Sequence, residues 1–351
     1  MSTSPRRGSL RPFFAWLGLF YTGWLALVVT GGHLPTVLAH WPMAVAMALG
    51  SYVAGSTPMG GGTVGFPVLV LLMDLPATLG RDFSFAIQAV GMTSASIYIL
   101  CRRQFLEWPM LRAALPGALV GTPLGILFVA PHASDLFIKL LFAAMWCSFG
   151  IVHLLRIREI TSYQGMTPHD VSFDHRAGFA VGLLGSMTVA SITGVGVDMM
   201  LYMVLVLICH ADLKIAIPTS VILMAFTSVV GTATKLMLGD VQPGTFENWL
   251  AAAPVVAIGA PVGALVVSRI GRRPTLWLVS VLCVIQFAWT LYHERAVLTV
   301  TYTVAAVLAV ALFLLIFQHL YRRGVRMARR QRSIETARVQ WPEDASRDAG
   351  S

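Results

Sequence analysis

The stretch GSTPMGGGTVGFPVLVLLMDLP, residues 55–76, sets three consecutive glycines between apolar runs that are each too short to cross a bilayer. A glycine run at membrane depth bares backbone N–H and C=O groups, each costing several kcal/mol when left unpaired in hydrocarbon. Such a break survives only where protein, water or a ligand covers it. The stretch therefore demands a partner elsewhere in the fold.

The surroundings read as a membrane. The 351-residue chain is 56% hydrophobic and 12% charged, with a mean hydropathy of +0.74, too apolar for a soluble core with a wetted surface. Apolar stretches of helical length fall at 13–31, 83–101, 108–130, 136–155, 216–238, 249–268, 275–292 and 297–320, where about 20 residues are needed per span. Residues 42–75 and 177–209 are equally apolar but interrupted by glycine and polar residues, and each reads as a helical hairpin or broken pair. About ten to twelve membrane segments result.

The net charge of +9 gathers at the termini, with Arg6, Arg7 and Arg11 before the first span and eight arginines against four acids in 321–351. Basic residues crowded against spans mark cytoplasmic flanks, or contact anionic lipid, and this reading displaces nucleic-acid binding. Cys101, Cys147, Cys209 and Cys283 lack CxxC spacing and read as packing residues. The basic start and first apolar run lack a close small-residue cleavage site and read as a retained span.

Shifted by 136 residues, 53–84 lies on 189–220 without a gap, and nine of the 32 positions are identical, among them Thr57 with Thr193, Gly60 with Gly196 and Ser84 with Ser220. Both copies run from a glycine-rich break through an apolar stretch and a charged loop to a span opening at Ser. With the N-terminus cytoplasmic, Arg102, Arg103, Arg156, Arg158, Arg269, Arg272, Arg273 and the tail fall inside, and Arg81 is the misplaced charge. Each copy then contains five passes, so the copies face opposite ways. The expected fold is an all-α polytopic membrane protein of two inverted-topology repeats, each of about five helical segments with broken helices, plus extra flanking N- and C-terminal spans. The expected boundaries are 1–41 for the N-terminus and first span, 42–155 for repeat 1, 156–176 for a cytoplasmic linker, 177–292 for repeat 2, 293–320 for the last span and 321–351 for the basic tail.

Paired breaks in inverted repeats are a transporter signature, because half-helix N-termini present partial positive charge and free amides to an anion. Glycine as a device for close helix packing is the alternative. Candidate substrate contacts are Ser56, Thr57, Gly60, Gly61, Gly62 and Thr63 in the first copy, Thr193, Gly194 and Gly196 in the second, and Ser84, Gln88, Thr219 and Ser220 on the following spans. Gly61 reads as the position where a side chain would fill the anion's space. Asp198 stands in the register of Gly62. An ionisable residue at that depth is a functional hypothesis by default, here proton coupling. Arg81, Asp82, Asp212 and Lys214 read as interfacial ion pairs, Lys139 and Lys235 as snorkelling residues, and His153 and His210 as interfacial.

Enzyme readings fail on spacing. GGGTVG lacks the GK[ST] of a phosphate loop, GVGVDM lacks the third glycine of a dinucleotide fold, and HExxH, GxSxG and clustered metal ligands do not occur. No catalytic residue, cofactor or metal is expected. The remaining non-transport reading is a membrane scaffold that docks partners through its basic tail; deleting 324–351 would disable it while sparing a transporter.

The glycine cluster Gly60, Gly61 and Gly62 with Pro67, in MGGGTVGFPVLVLL, and the weaker second copy, where Val197, Asp198 and Met203 replace the glycines and proline, resemble the sulfite exporter TauE/SafE family of membrane permeases over about residues 42–292. The resemblance implies a secondary transporter in the inner membrane, an exporter of sulfite, an organosulfonate or a related organic anion. Its partners would be that small anionic substrate and the bilayer, with no nucleic acid.

Overall fold

The computed structural model describes residues 8–167, 170–270 and 272–345, with side chains for all of these except 267–270, 272 and 330–345. Arg6, Arg7, the side chains of Arg269 and Arg272, and most of the basic tail lie outside that description.

Helices account for every extended element among the described residues. They are α1 (Arg11–Thr30), α2 (Leu34–Ala39), α3 (Trp41–Ser56), α4 (Gly62–Pro67), α5 (Ala77–Cys101), α6 (Trp108–Phe128), α7 (Asp135–Ile160), α8 (Val171–Ala180), α9 (Ser191–Thr193), α10 (Val197–Leu207), α11 (Leu213–Leu238), α12 (Thr245–Ile270), α13 (Arg272–His293) and α14 (Val300–Ala345). Wide π-helical turns continue α4 through Val68–Leu72 and join α8 to α9 through Val181–Ala190. Among the described residues nine helical stretches are long and apolar enough to cross a membrane, while Gly62–Leu72 and Val197–Leu207 are too short to do so alone. Proline at the first turn starts α1, α2, α3 and α6, where its missing N–H has no helical partner to lose.

The 136-residue offset seen in the sequence recurs in the backbone. Helices begin at Ala77 and Leu213, at Trp108 and Thr245, and at Asp135 and Arg272, each pair within a residue of that spacing. The left-handed residues follow it too: Asp74 (φ 54) answers His210 (φ 47), and Arg103 (φ 49) answers Gly239 (φ 64). Packing is crosswise, with α3 against α12, α6 against α8 and Val181–Ala190, α5 against α11, and α7 against α13.

Hydrogen bonds and ion pairs sort the helix ends into two groups. Lys139 pairs with Glu294 (2.8 Å) and Asp135 (3.1 Å), and His293 Nε2 meets Asp74 Oδ1 at 2.8 Å, which gathers the loop after α4, the start of α7 and the end of α13. Opposite, Thr167 N donates to Cys209 O (2.9 Å) and Asp212 N to Gly165 O (2.6 Å), which gathers the loop after α10 with the segment before α8. The first hairpin therefore opens among acidic residues and the second beside the segment linking the halves.

Several polar residues sit deeper than their sequence positions suggested. Arg81 and Asp82 lie inside α5 rather than in a loop. Lys235 does not snorkel: it is 3% exposed, holding Asp82 Oδ2 at 3.2 Å and Asp240 Oδ2 at 2.6 Å, while Arg81 Nε holds Asp82 Oδ1 at 2.9 Å. Asp212 caps α11 through the Lys214 backbone N–H rather than pairing with its ammonium group. His153 is fully buried: Nδ1 donates to Phe149 O (2.9 Å), leaving Nε2 to accept from Tyr202 OH (3.0 Å). α14 runs on unbroken past residue 320, and a Cβ at Gly324 would overlap the Leu207 carbonyl. Deletion from 324 would thus strip a contact from the end of α10 and cannot serve as a neutral truncation.

Lys235→Met should cost about 3 kcal/mol, the low end of the range for breaking a buried ion pair, because Arg81 still holds the stranded Asp82. The triple variant Arg81→Gln, Asp82→Asn and Lys235→Met, which leaves no member of the buried triad charged, should regain most of that loss in a detergent melt. Equal destabilisation in the single and triple variants would show that the triad does not carry the helix contact.

Candidate functional site

The two breaks meet at one place, and α5 supplies the polar side chains between them. Gln88 Nε2 donates to Gly194 O and Ser84 O, both at 3.0 Å, so the amide of a first-half helix satisfies a carbonyl freed by the second break. That orientation turns Gln88 Oε1 toward the first break: a Cβ at Gly60 would overlap it, and would stand 3.5 Å from Asp198 Oδ2. A Cβ at Gly62 would meet Ser84 Cβ at 2.8 Å and Gln88 Nε2 at 2.9 Å, and one at Gly194 would meet Ser84 Cβ at 2.8 Å. Gly60, Gly62, Ser84, Gln88, Gly194 and Asp198 thus form one cluster, buried from solvent.

Asp198 lies in the first turn of α10, where the helix dipole and free amides favour an anion. Its Oδ1 accepts from Met199 N at 2.9 Å, and the backbone N–H groups of Gly60 and Gly196 also face the carboxyl. The side chain therefore occupies the anion-attracting end of one break while facing an amide of the other. Oδ2, Gln88 Oε1 and Ser84 Oγ make no hydrogen bond of normal geometry. Buried polar atoms almost always find a partner. Gln88 Oε1 and Asp198 Oδ2 both border the space a Gly60 Cβ would fill, and neither has a hydrogen-bond partner there, which marks a place for a proton or for a ligand's donor.

The glycines of the two breaks serve different ends. Gly194 (φ 78) and Gly196 (φ 103) take left-handed conformations that L side chains resist, whereas no residue from Gly60 to Gly62 has a positive φ. Gly60 and Gly62 are needed for space. Gly61 faces away from the cluster: its Cβ would meet Met47 Cε at 3.2 Å and Ala54 Cβ at 3.7 Å on α3. Gly196 backs onto α7, with Met145 Cε 2.8 Å and the Trp146 ring 3.1 Å from its would-be Cβ. Trp146 in turn stacks on Phe142 (4.4 Å, 5°) and Phe142 on Phe66 of α4 (4.4 Å, 14°), so one face of α7 braces both half-helices.

The remaining candidates stand apart from the cluster or are occupied locally. Ser56 Oγ donates to Tyr52 O (2.6 Å) and Thr57 Oγ1 to Val53 O (2.7 Å), closing the end of α3. Thr193 Oγ1 bonds Val189 O (2.9 Å) and Val195 O (3.0 Å) within its own break. Thr63 Oγ1 is buried without a partner beside the first break. Thr219 Oγ1 accepts from Glu107 N at 3.0 Å and Ser220 Oγ donates to Ile217 O at 2.9 Å, neither touching a break glycine. A cavity of about 1010 Å³ opens beyond Ser56, which lines it together with Arg102, Arg103, Lys214 and Arg273. Among the described residues no three His, Cys, Asp or Glu side chains group as metal ligands.

Comparison with known families fits this architecture. No curated protein and no solved structure matches the chain. The family description "Sulfite exporter TauE/SafE" matches residues 43–290, which takes in both breaks, the cluster between them and every helix from α3 to α12, with α13 nearly complete. Its members are membrane permeases and not enzymes. The chain belongs to the sulfite exporter TauE/SafE family and is a multi-pass membrane transporter of sulfite-like anions.

Proposed function

We propose that this transporter exports a small anion, sulfite or an organosulfonate or related organic anion, across the inner membrane by alternating access, coupled to protons through Asp198. Both termini are cytoplasmic in this reading, which makes the Arg102 end the inner one. The crosswise packing and the opposite openings of the two hairpins support inverted repeats. Such repeats rock around a fixed midplane site.

The observation that carries the proposal is the position of Asp198, a carboxylate held where a transported anion would bind. It takes the amides of the α10 N-terminus and faces that of Gly60. Ionised, it competes with substrate for those donors and repels its charge. Protonated, it no longer needs them, and its O–H can reach the acceptor that lacks a donor, Gln88 Oε1. Anion and proton then bind in concert, and by reciprocity anion binding strengthens proton binding.

Counterflow of sulfite, a sulfonate and a carboxylate in proteoliposomes tests the reading, and no saturable flux for any of them would count against it. Asp198→Asn mimics the protonated form permanently. It should exchange anion with little dependence on pH, yet fail to accumulate anion from a pH gradient. Full gradient-driven transport by this variant would remove Asp198 from coupling.

The glycine geometry makes a sharper contrast. Gly60→Ala should lower flux at least tenfold at equal insertion, because its Cβ displaces Gln88 Oε1. Gly61→Ala needs only a shift of the flexible Met47 terminus and should keep most of the flux. Equal activity of the two would separate the cluster from transport.

A further inference from the structure

We propose that the cavity at the Arg102 end is an anion-capture vestibule that raises affinity on that face of the membrane above affinity on the other. The proposal deepens the transport reading and rests on it for the class of ligand. The cavity, of about 1010 Å³, is lined by Arg102 and Arg103 after α5, Lys214 opening α11 and Arg273 opening α13, and it reaches Gly55 and Ser56 at the end of α3. Four cations from separate parts of the fold therefore surround the approach to the first break.

Among the described residues none of the four has an acidic partner within ion-pair distance. The acid that shares the lining, Asp212, turns Oδ1 to the Lys214 backbone N–H (2.8 Å). Gathering unpaired like charges around a concave surface is unfavourable until an anion joins them. Topology alone explains basic residues at this end of the helices. It does not explain their convergence on a cavity that leads to the breaks.

The repeat supplies an internal control. At the 136-residue offset, Arg102 answers Leu238, Arg103 answers Gly239, Lys214 answers Thr78 and Arg273 answers Phe137. All four cations have uncharged counterparts, so the capture charge belongs to one face alone. Arg103 adds a second mark. It holds φ 49 where its counterpart Gly239 holds φ 64, a conformation glycine takes freely and an L side chain only at a cost. The chain keeps a guanidinium where glycine would relax the backbone.

All four side chains are exposed, so they act through their summed field rather than as a tight clamp. Apolar walls such as Ile99 and Val221 focus that field, which raises the local anion concentration and weakens with salt. A doubly charged oxyanion gains more than a singly charged one. Selection in the vestibule is thus by charge, ahead of selection by shape at the breaks.

The test reads the vestibule without needing the substrate. In a Gln104→Cys chain, whose residue 104 is part-exposed on the lining, anionic sulfonatoethyl and cationic trimethylammonioethyl methanethiosulfonates compete for that thiol, with adducts located by mass spectrometry so that native thiols do not count. Normalised to a free thiol, the anionic reagent should react on the order of 10-fold faster. Replacing Arg102, Arg103 and Arg273 by Gln should bring the ratio near one, while Arg322→Gln with Arg323→Gln, which removes charge outside the vestibule, should not. If Gln104→Cys does not insert, the exposed Gln164→Cys on the same lining takes its place. In parallel, the triple variant should raise the half-saturating sulfite concentration about tenfold from the Arg102 face of oriented membrane vesicles and leave the other face unchanged. A ratio near one in the unneutralised chain, or equal loss in the control pair, overturns the vestibule. A high ratio that the triple variant abolishes, with no flux of any anion, upholds the vestibule and overturns the transport reading instead.

Discussion

Two helices are interrupted inside an apolar fold, and each interruption leaves backbone groups that no lipid can satisfy. The chain resolves this by making the breaks complete one another. Gln88, from the first half, donates to the Gly194 carbonyl of the second, while Asp198, from the second, faces the Gly60 amide of the first. The register of α5 follows from this exchange, since Ser84 and Gln88 must stand one turn apart on the face turned to both breaks. The aromatic face of α7 follows as well, because Phe66 and Gly196 need a common rigid backing.

That exchange also accounts for the divergence of two copies that share one architecture. The first break needs room, so it has glycines with ordinary backbone angles at Gly60 and Gly62. The second needs a reversed backbone hand, so it has glycine at 194 and 196 and can carry a side chain between and after them. The carboxylate at 198 faces Gly60, where a Cβ would stand 3.5 Å from its Oδ2, so the missing side chain leaves it room. One copy supplies the cavity and the other supplies the charge.

Helix positions were legible from sequence because a span must present about 20 apolar residues whatever it packs against, and eight apolar runs recur as long helices from α1 to α14. The offset of 136 carried further, into helix starts and left-handed residues. Partners across the fold were not legible. Lys139 and Lys235 look like snorkelling residues until Glu294 and Asp82, more than 150 residues away, arrive beside them. His153 looks interfacial until Tyr202 closes over it. The orientation of Gly61 depends on where the half-helix begins its first turn, which a glycine run does not disclose. Ser220 matches Ser84 in the repeat, yet its neighbourhood differs: Gln88 is answered by Met224, which has no amide to offer the first break.

The same departures from symmetry bear on how the two faces of the proposed inverted-repeat cycle come to differ in affinity. If the halves were identical, the inward and outward states would be mirror versions of one arrangement, with equal affinity for an anion on either side. Differences between the copies break that degeneracy, and they lie where the chemistry is: Gly62 against Asp198, Gln88 against Met224, Arg102 against Leu238. The helices and their packing stay common to both halves, as the proposed rocking would require. Charge and hydrogen-bonding groups differ, which in that cycle gives the two faces unequal affinity while the gradients set the direction of net flux. An anion drawn in by Arg102, Arg103, Lys214 and Arg273 meets no such field on the other side, where the counterparts are Leu238, Gly239, Thr78 and Phe137. In the proposed alternating-access cycle, release there needs no special device, since the attraction that brought the anion to the breaks is absent on that face.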